Sequence, residues 1–198
     1  MIQYIWGQFV LKKQSETGGM WKAVLIGDAA VGKTSIRRKY LGEGFRASHI
    51  ATLGVDFAQK YVHHMGKTQR LIIWDLSGQA NFETVRKHYY QGCSSIILVY
   101  SISDRKSFDN ASKWLVEAYK YLGELPPIII VGNKIDLRVT DPDENYVSTE
   151  EGIEFTETFK EKLKIAAIFI ETSAKTGENI QEAFKKLLDI VITGEVRS

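Results

Sequence analysis

The stretch Gly27-Asp28-Ala29-Ala30-Val31-Gly32-Lys33-Thr34, followed by Ser35, sets two glycines, a lysine and a hydroxyl in the spacing G-x-x-x-x-G-K-[ST]. That spacing suits a polyphosphate. Backbone N–H groups of a tight loop can wrap phosphate oxygens, and a helix opening at the end of the loop adds partial positive charge. Gly27 and Gly32 allow close backbone approach, Lys33 would neutralise β- and γ-phosphate oxygens, and the Thr34 hydroxyl would ligate Mg²⁺. A glycine turn with a solvated lysine would use the same residues. Here, however, an apolar run precedes the motif and a helical pattern follows it, as phosphate binding requires.

The base is read further along. Asn133-Lys134-Ile135-Asp136 follows the apolar run 128–131, at the strand edge where ligands bind in open α/β sheets. The Asp136 carboxylate can accept from the N1–H and 2-amino group of guanine, whereas adenine offers no such donor pair. Asn-Lys-x-Asp is weak alone, because strand-ending turns often hold these residue types. Glu171-Thr172-Ser173-Ala174-Lys175 then ends the last apolar run, where a backbone N–H can reach guanine O6. Three motifs in this order point to GTP and GDP.

Such loops need a scaffold, and the chain supplies one. Short aliphatic runs recur at 23–26, 71–74, 96–100, 128–131 and 167–170, with helical segments between most of them. Ile180, Phe184, Leu187, Leu188 and Val191 share one helical face. Asn179 with Glu182, and Ser148 with Glu151, are expected helix-capping pairs. Alternation of this kind predicts a mostly parallel sheet covered on both faces. The runs 55–63 and 69–74, joined by a short turn around residues 64–67, predict one antiparallel hairpin.

Composition fits one soluble domain. The 198 residues are 44% hydrophobic and 25% charged, with 16 Gly and 3 Pro, which excludes disorder as the main state. Lys and Arg number 26 against 24 Asp and Glu, so no field calls for nucleic acid. No apolar stretch approaches the ~18–20 residues of a membrane span. Residues 1–11 lack a positive segment and are interrupted by Gln3 and Gln8, so a secretory signal is not expected and the chain is placed in the cytoplasm. Cys93, beside an apolar run, is expected to be a buried structural thiol. Arg37-Arg38-Lys39 and His63-His64 are expected to be solvated faces.

With these motifs the chain resembles the Ras-like small GTPases, most closely the Rab subfamily, over about residues 21–193. Further motifs agree: residues 51–57, Ala-Thr-Leu-Gly-Val-Asp-Phe, look like a Rab-type switch I. Trp74-Asp75-Leu76-Ser77-Gly78-Gln79 matches the D-x-x-G-Q signature of switch II. The resemblance implies a G domain over 20–198, with a six-stranded, mostly parallel sheet, one antiparallel strand and five flanking helices. It implies that Thr52 completes the Mg²⁺ shell when a γ-phosphate is present, and that Asp75 holds a metal-bound water. The Gly78 N–H would bond the γ-phosphate, Gln79 would orient the attacking water, and Phe45 would meet the guanine ring. Gln79 and Lys33 would then be the catalytic positions. The expected activity is slow hydrolysis of GTP, on the order of 10⁻⁴–10⁻³ s⁻¹ without an activator, used as a molecular switch. A GTP-binding adaptor with little hydrolysis, and an ATP-using P-loop enzyme, are the other readings; Asp136 and Ser173–Lys175 disfavour the second.

The implied partners are effectors at switch I (about 46–57) and switch II (about 75–90), an exchange factor and a GTPase-activating protein, acting on a monomer. Departures from the pattern sit where partners read: Ser77, Ala80-Asn81, Ala29 and His49. Residues 138–146 are expected to form a longer exposed loop. No cysteine follows Cys93 and position 2 is Ile2, so neither prenylation nor myristoylation is expected. Residues 1–19 are read as an extension with a flexible joint at 16–19. Ile2, Ile5, Trp6, Phe9 and Val10 form a helical stripe before Lys12 and Lys13. That stripe (residues 1–13) suits either peripheral membrane contact, or packing onto the domain or a partner.

Overall fold

Strands β4 (Ser95–Ser101) and β5 (Ile128–Asn133) are buried along their whole length, as their unbroken apolar runs require for strands covered on both faces. They lie inside a six-stranded sheet with β1 (Thr17–Ile26), β2 (Val55–His64), β3 (Lys67–Leu76) and β6 (Ala167–Thr172), in the order β2-β3-β1-β4-β5-β6. The computed structural model describes residues 17–44, 54–78, 83–141 and 145–194. β2 runs antiparallel to β3 through the expected hairpin. Met65 and Gly66 make its two-residue turn, both with positive φ, matching the twist of the flanking strands. Every other pairing is parallel.

Five helices of eight or more residues flank the sheet among the described residues: α1 (Lys33–Leu41), α2 (Glu83–Tyr90), α4 (Ala111–Leu122), α6 (Thr149–Leu163) and α7 (Ile180–Thr193), with short α3 (Arg105–Asp109) and α5 (Leu137–Thr140) between them. One face of the sheet buries Ala23, Leu25, Ile73, Val99 and Val131 against Ile36, Phe184 and Leu188. The other buries Val24, Ile26, Leu98 and Ile130 against Tyr90, Trp114 and Leu115. Residues alternating along each strand thus feed two cores.

Some local expectations hold and others are corrected. The joint predicted at 16–19 is strand from Thr17 onward: the Gln69 side chain accepts from the Gly19 N–H at 2.7 Å and from Trp21 Nε1–H at 2.9 Å, and so extends β1. Ser148 and Glu151 form a reciprocal capping box on α6. Asn179 makes no side-chain cap; its amide donates to the Glu171 carbonyl instead, and its backbone is left-handed. The loop expected over residues 138–146 is exposed at 139–141 and 145, begins within the short helix α5, and is anchored at both ends. Arg138 grips both oxygens of Glu171, and the Tyr146 hydroxyl donates to the Leu137 carbonyl; residues 142–144 lie outside the described residues.

Candidate functional site

β1 is the strand from which the chain leaves first toward β3 on one side and later toward β4 on the other. The crevice beyond the carboxyl end of such a strand is where α/β sheets bind ligands. The segment 27–34 occupies it. Gly27 and Gly32 have φ of 134° and 106°, and a Cβ on them would meet the Val99 carbonyl oxygen and the Asn133 amide nitrogen at 2.0 and 2.2 Å. Only glycine fits there. Gly32 is also the N-cap of α1, and it has no side chain to bond the first N–H groups, which leaves those donors for an anion. Lys33 is buried, and its ammonium donates to the carbonyls of Gly27 and Asp28 at 2.7 Å each. Burial lowers its pKa to about 8, against the opposing pull of Asp75 and Asp28. A polyphosphate would offset its buried charge, which two neutral carbonyls do not.

Asp75 is the penultimate residue of β3, beside the loop. Its Oδ2 accepts from the Thr34 hydroxyl at 2.5 Å, whereas its Oδ1 is buried with no hydrogen-bond partner. Burial pushes the Asp75 carboxyl up from the usual carboxylate range, opposed by the Thr34 hydrogen bond, Lys33 and Arg37. A buried, half-satisfied carboxylate next to a hydroxyl fits Mg²⁺, which takes few protein ligands and keeps its waters and phosphates. Thr34 and Asp75 would hold it. Gly78 follows two residues after the strand, with its backbone against that of Asp28 and Ala29.

The segments expected to read the base lie at the ends of β5 and β6. Asn133 is buried and stitches three segments together. Its amide donates to the Val31 carbonyl at 2.8 Å, and its oxygen accepts from the Ala174 N–H and the Thr172 hydroxyl, each at 3.1 Å. Asp136 accepts from the Ser173 hydroxyl at 2.6 Å, with Lys175 at 3.7 Å. Lys134 takes a left-handed backbone with φ 75°, a rare conformation for a side chain and common at sites under functional constraint. All three segments singled out in sequence converge on one sheet edge. Phe45, Thr52, Gln79, His49, Ala80, Asn81 and residues 1–16 lie outside the described residues.

Sequence reasoning missed several features. The Asp28 carboxylate turns from the loop to accept from Trp114 Nε1–H at 2.7 Å and the Asn110 amide at 2.8 Å. Behind Trp114, Arg86 stacks on the ring at 4.7 Å, grips both oxygens of Glu117, and donates to the Ser77 carbonyl at 3.2 Å. Arg37, read as solvated, is 5% exposed. Its neighbours Ile36 and Tyr40 turn inward on α1, and it follows them to Asp56. Of the two histidines, His63 is exposed but His64 bonds Asp189 on α7 at 2.9 Å. Finally, Phe57 stacks on Trp74 and Trp74 lies tilted against Tyr89, with centroids 4.9 and 5.0 Å apart and Phe57 60% exposed. Phe57 and Trp74 face each other in the hairpin register, so counting back from the turn would have paired them.

A six-stranded sheet with a glycine-rich phosphate loop at its first strand, and guanine-type motifs on its last two, defines a P-loop nucleotide-binding domain. The Ras family model matches residues 22–193. The chain is 38% identical to Ras-related protein RABD2c of Arabidopsis thaliana over 88% of its own length and 81% of that protein. It is also 38% identical to GTP-binding protein YPTM2 of Zea mays and to Ras-related protein Rab-1D of Dictyostelium discoideum, each over 83% of this chain and 76% of the relative. The chain belongs to the Ras family. It is a small GTPase, a switch that binds GTP and GDP and hydrolyses GTP to GDP, and the family works with effectors, exchange factors and activating proteins. No helix among the described residues is long and apolar enough to cross a membrane.

Proposed function

We propose that the chain performs this switching with a Mg²⁺-dependent site in which residues 27–35 hold the phosphates, Thr34 and Asp75 hold the ion, and Asn133, Lys134, Asp136, Ser173, Ala174 and Lys175 form the guanine pocket. Thr52, Gln79 and Phe45 take the roles the resemblance gives them. The observation that carries this reading is Asn133, whose side chain bonds the phosphate loop through Val31 and the base loop through Ala174. Phosphate and guanine subsites are thereby tied into one pocket. The ion supplies charge neutralisation at the β- and γ-phosphates. The chain's own residues orient the nucleotide, exclude water around Lys33, and bring Gly78 up to the loop, where its N–H can sense a γ-phosphate.

Loss of the γ-phosphate contact would free the segment after Asp75, which turns hydrolysis into a change of surface. The aromatic row runs from Phe57 in switch I through Trp74 to Tyr89 in switch II and offers a protein effector exposed apolar area. A role in membrane traffic or signalling follows from the Rab-like resemblance and belongs to this proposal, as do the monomeric state and membrane contact through residues 1–13. The test is to identify the nucleotide that co-purifies and to follow GTP consumption over hours with and without Mg²⁺. Bound GDP or GTP and slow, Mg²⁺-dependent phosphate release are expected. Bound ATP, or GTP left intact with Mg²⁺ present, would sink the reading.

A further inference from the structure

We propose that Arg37 is a built-in positive charge beside the metal position, which weakens Mg²⁺ binding and so sets how much of the ion the protein needs to retain its nucleotide. The inference rests on the reading of Asp75 and Thr34 as the groups that hold the ion. Arg37 occupies an inward position on α1, between Ile36 and Tyr40, where the helix packs on the sheet. An apolar residue would suit the packing there better. The guanidinium is instead buried and divided between two acids. Its terminal nitrogen bonds the half-exposed carboxylate of Asp56 at the start of β2, and its Nε stands 4.0 Å from Oδ2 of the fully buried Asp75.

That division leaves two orphans. Arg37 Nε and Asp75 Oδ1 are both buried without a hydrogen-bond partner, and a buried, unpaired N–H is costly. The bond to Asp56 therefore satisfies only part of the guanidinium. Toward Asp75 it acts through its charge, adding to the larger pull of Lys33. A guanidinium stays protonated at any physiological pH, so this charge is permanent. A dication approaching Asp75 meets it, and when the dication leaves, the same charge remains to offset Asp75 and the phosphates. Mg²⁺ binds more weakly as a result, and nucleotide is kept better without it. A unit charge as far as roughly 8 Å away still changes an equilibrium by more than a factor of ten at a protein's effective dielectric.

The experiment uses the full chain loaded with a fluorescent GDP analogue, with release followed across EDTA-buffered free Mg²⁺ concentrations. Arg37→Met removes the charge but keeps an unbranched, helix-compatible side chain. Arg37→Lys keeps the charge, and Asp56→Asn removes the compensating acid. The free Mg²⁺ giving half-maximal retention should fall about 10-fold in Arg37→Met, stay within roughly 3-fold of wild type in Arg37→Lys, and rise in Asp56→Asn. A purely structural role for Arg37 would not produce opposed shifts. Coincident midpoints for Arg37→Met and wild type, or shifts of Arg37→Met and Asp56→Asn in the same direction, would overturn the inference. Should Arg37→Met fail to give a cooperative melt, the midpoints of Arg37→Lys and Asp56→Asn decide, and an unshifted Asp56→Asn overturns it. Wild-type release that ignores Mg²⁺ altogether would instead overturn the metal reading, and this inference with it.

Discussion

Gly78 lies so close to the phosphate loop that a Cβ on it would stand 2.4 Å from the carbonyl carbon of Asp28 and 2.5 Å from the amide nitrogen of Ala29. Both are backbone atoms, so no change of rotamer relieves the clash. The contact brings the end of β3 against the loop that follows β1. Gly78→Ala should push them apart and remove the γ-phosphate contact while sparing the rest of the pocket. We expect the preference for a GTP analogue over GDP to fall by roughly 10-fold, a typical coupling between linked states. Competition binding checks this, and an unchanged ratio would show that the two loops do not communicate through this contact.

Asp136 should set the choice of base. Asp136→Asn exchanges an acceptor for a donor, which opposes the guanine edge and matches that of xanthine. GTP affinity should fall by at least about 100-fold, the scale for a site whose buried polar groups are mismatched. Xanthosine triphosphate should bind better than it does to wild type. Comparable binding of GTP and ATP by the wild-type protein would refute the assignment.

Arg86 and Glu117 should behave as one unit. Arg86 is almost fully buried, and Glu117 bonds both it and the Tyr90 hydroxyl, the latter at 2.9 Å. Arg86→Met strands that carboxylate, at a cost of about 3–5 kcal/mol. Arg86→Met with Glu117→Gln should recover part of the loss, because the second change removes the stranded charge. A double-mutant cycle in urea unfolding measures the coupling. Strict additivity would mean the pair contributes nothing beyond its separate side chains.

The tie between Arg105 and Glu151 should appear in acid. The Arg105 hydrogen bond, then the Ser148 backbone N–H, hold the Glu151 carboxyl down from 4.5 to about 2. A depressed folded-state pKa stabilises at pH above the unfolded value and loses that contribution as pH falls through the folded one. The pair is about two-fifths exposed, so solvent screening limits the gain to about 1 kcal/mol. Glu151→Gln should therefore melt below wild type at neutral pH, with the gap closing between pH 4.5 and 2. A gap that stays constant across that range would leave only the neutral part of the capping box.

Much of this was legible in the sequence because it is local. The glycine-lysine loop, the apolar runs, the hairpin and the Ser148–Glu151 box depend on neighbours within a few residues. What was hidden depends on contacts across the fold. Arg37 looks like one of three adjacent cations until the sheet places Asp56 and Asp75 beneath it. Asp28 looks like a phosphate-loop side chain until Trp114, far along the chain, claims its carboxylate. Asn179 resembled a cap, but its left-handed backbone aims the amide at Glu171. Charge and hydrogen-bonding capacity can be read from residue type, whereas the partner that satisfies them is a property of topology.

The amide of Gln69 fastens the first residues of β1 at the end of the sheet remote from the phosphate loop. From Thr17 to Ile26 the strand spans ten residues, which at about 3.3 Å per residue is roughly 30 Å. Thr17 thus stands at the pole opposite the proposed nucleotide pocket. Anything that grips the protein by that pole, whether a lipid headgroup layer or another macromolecule, holds it like a lamp by its base. The nucleotide end then points into open solvent, where a second protein can reach it without displacing the first.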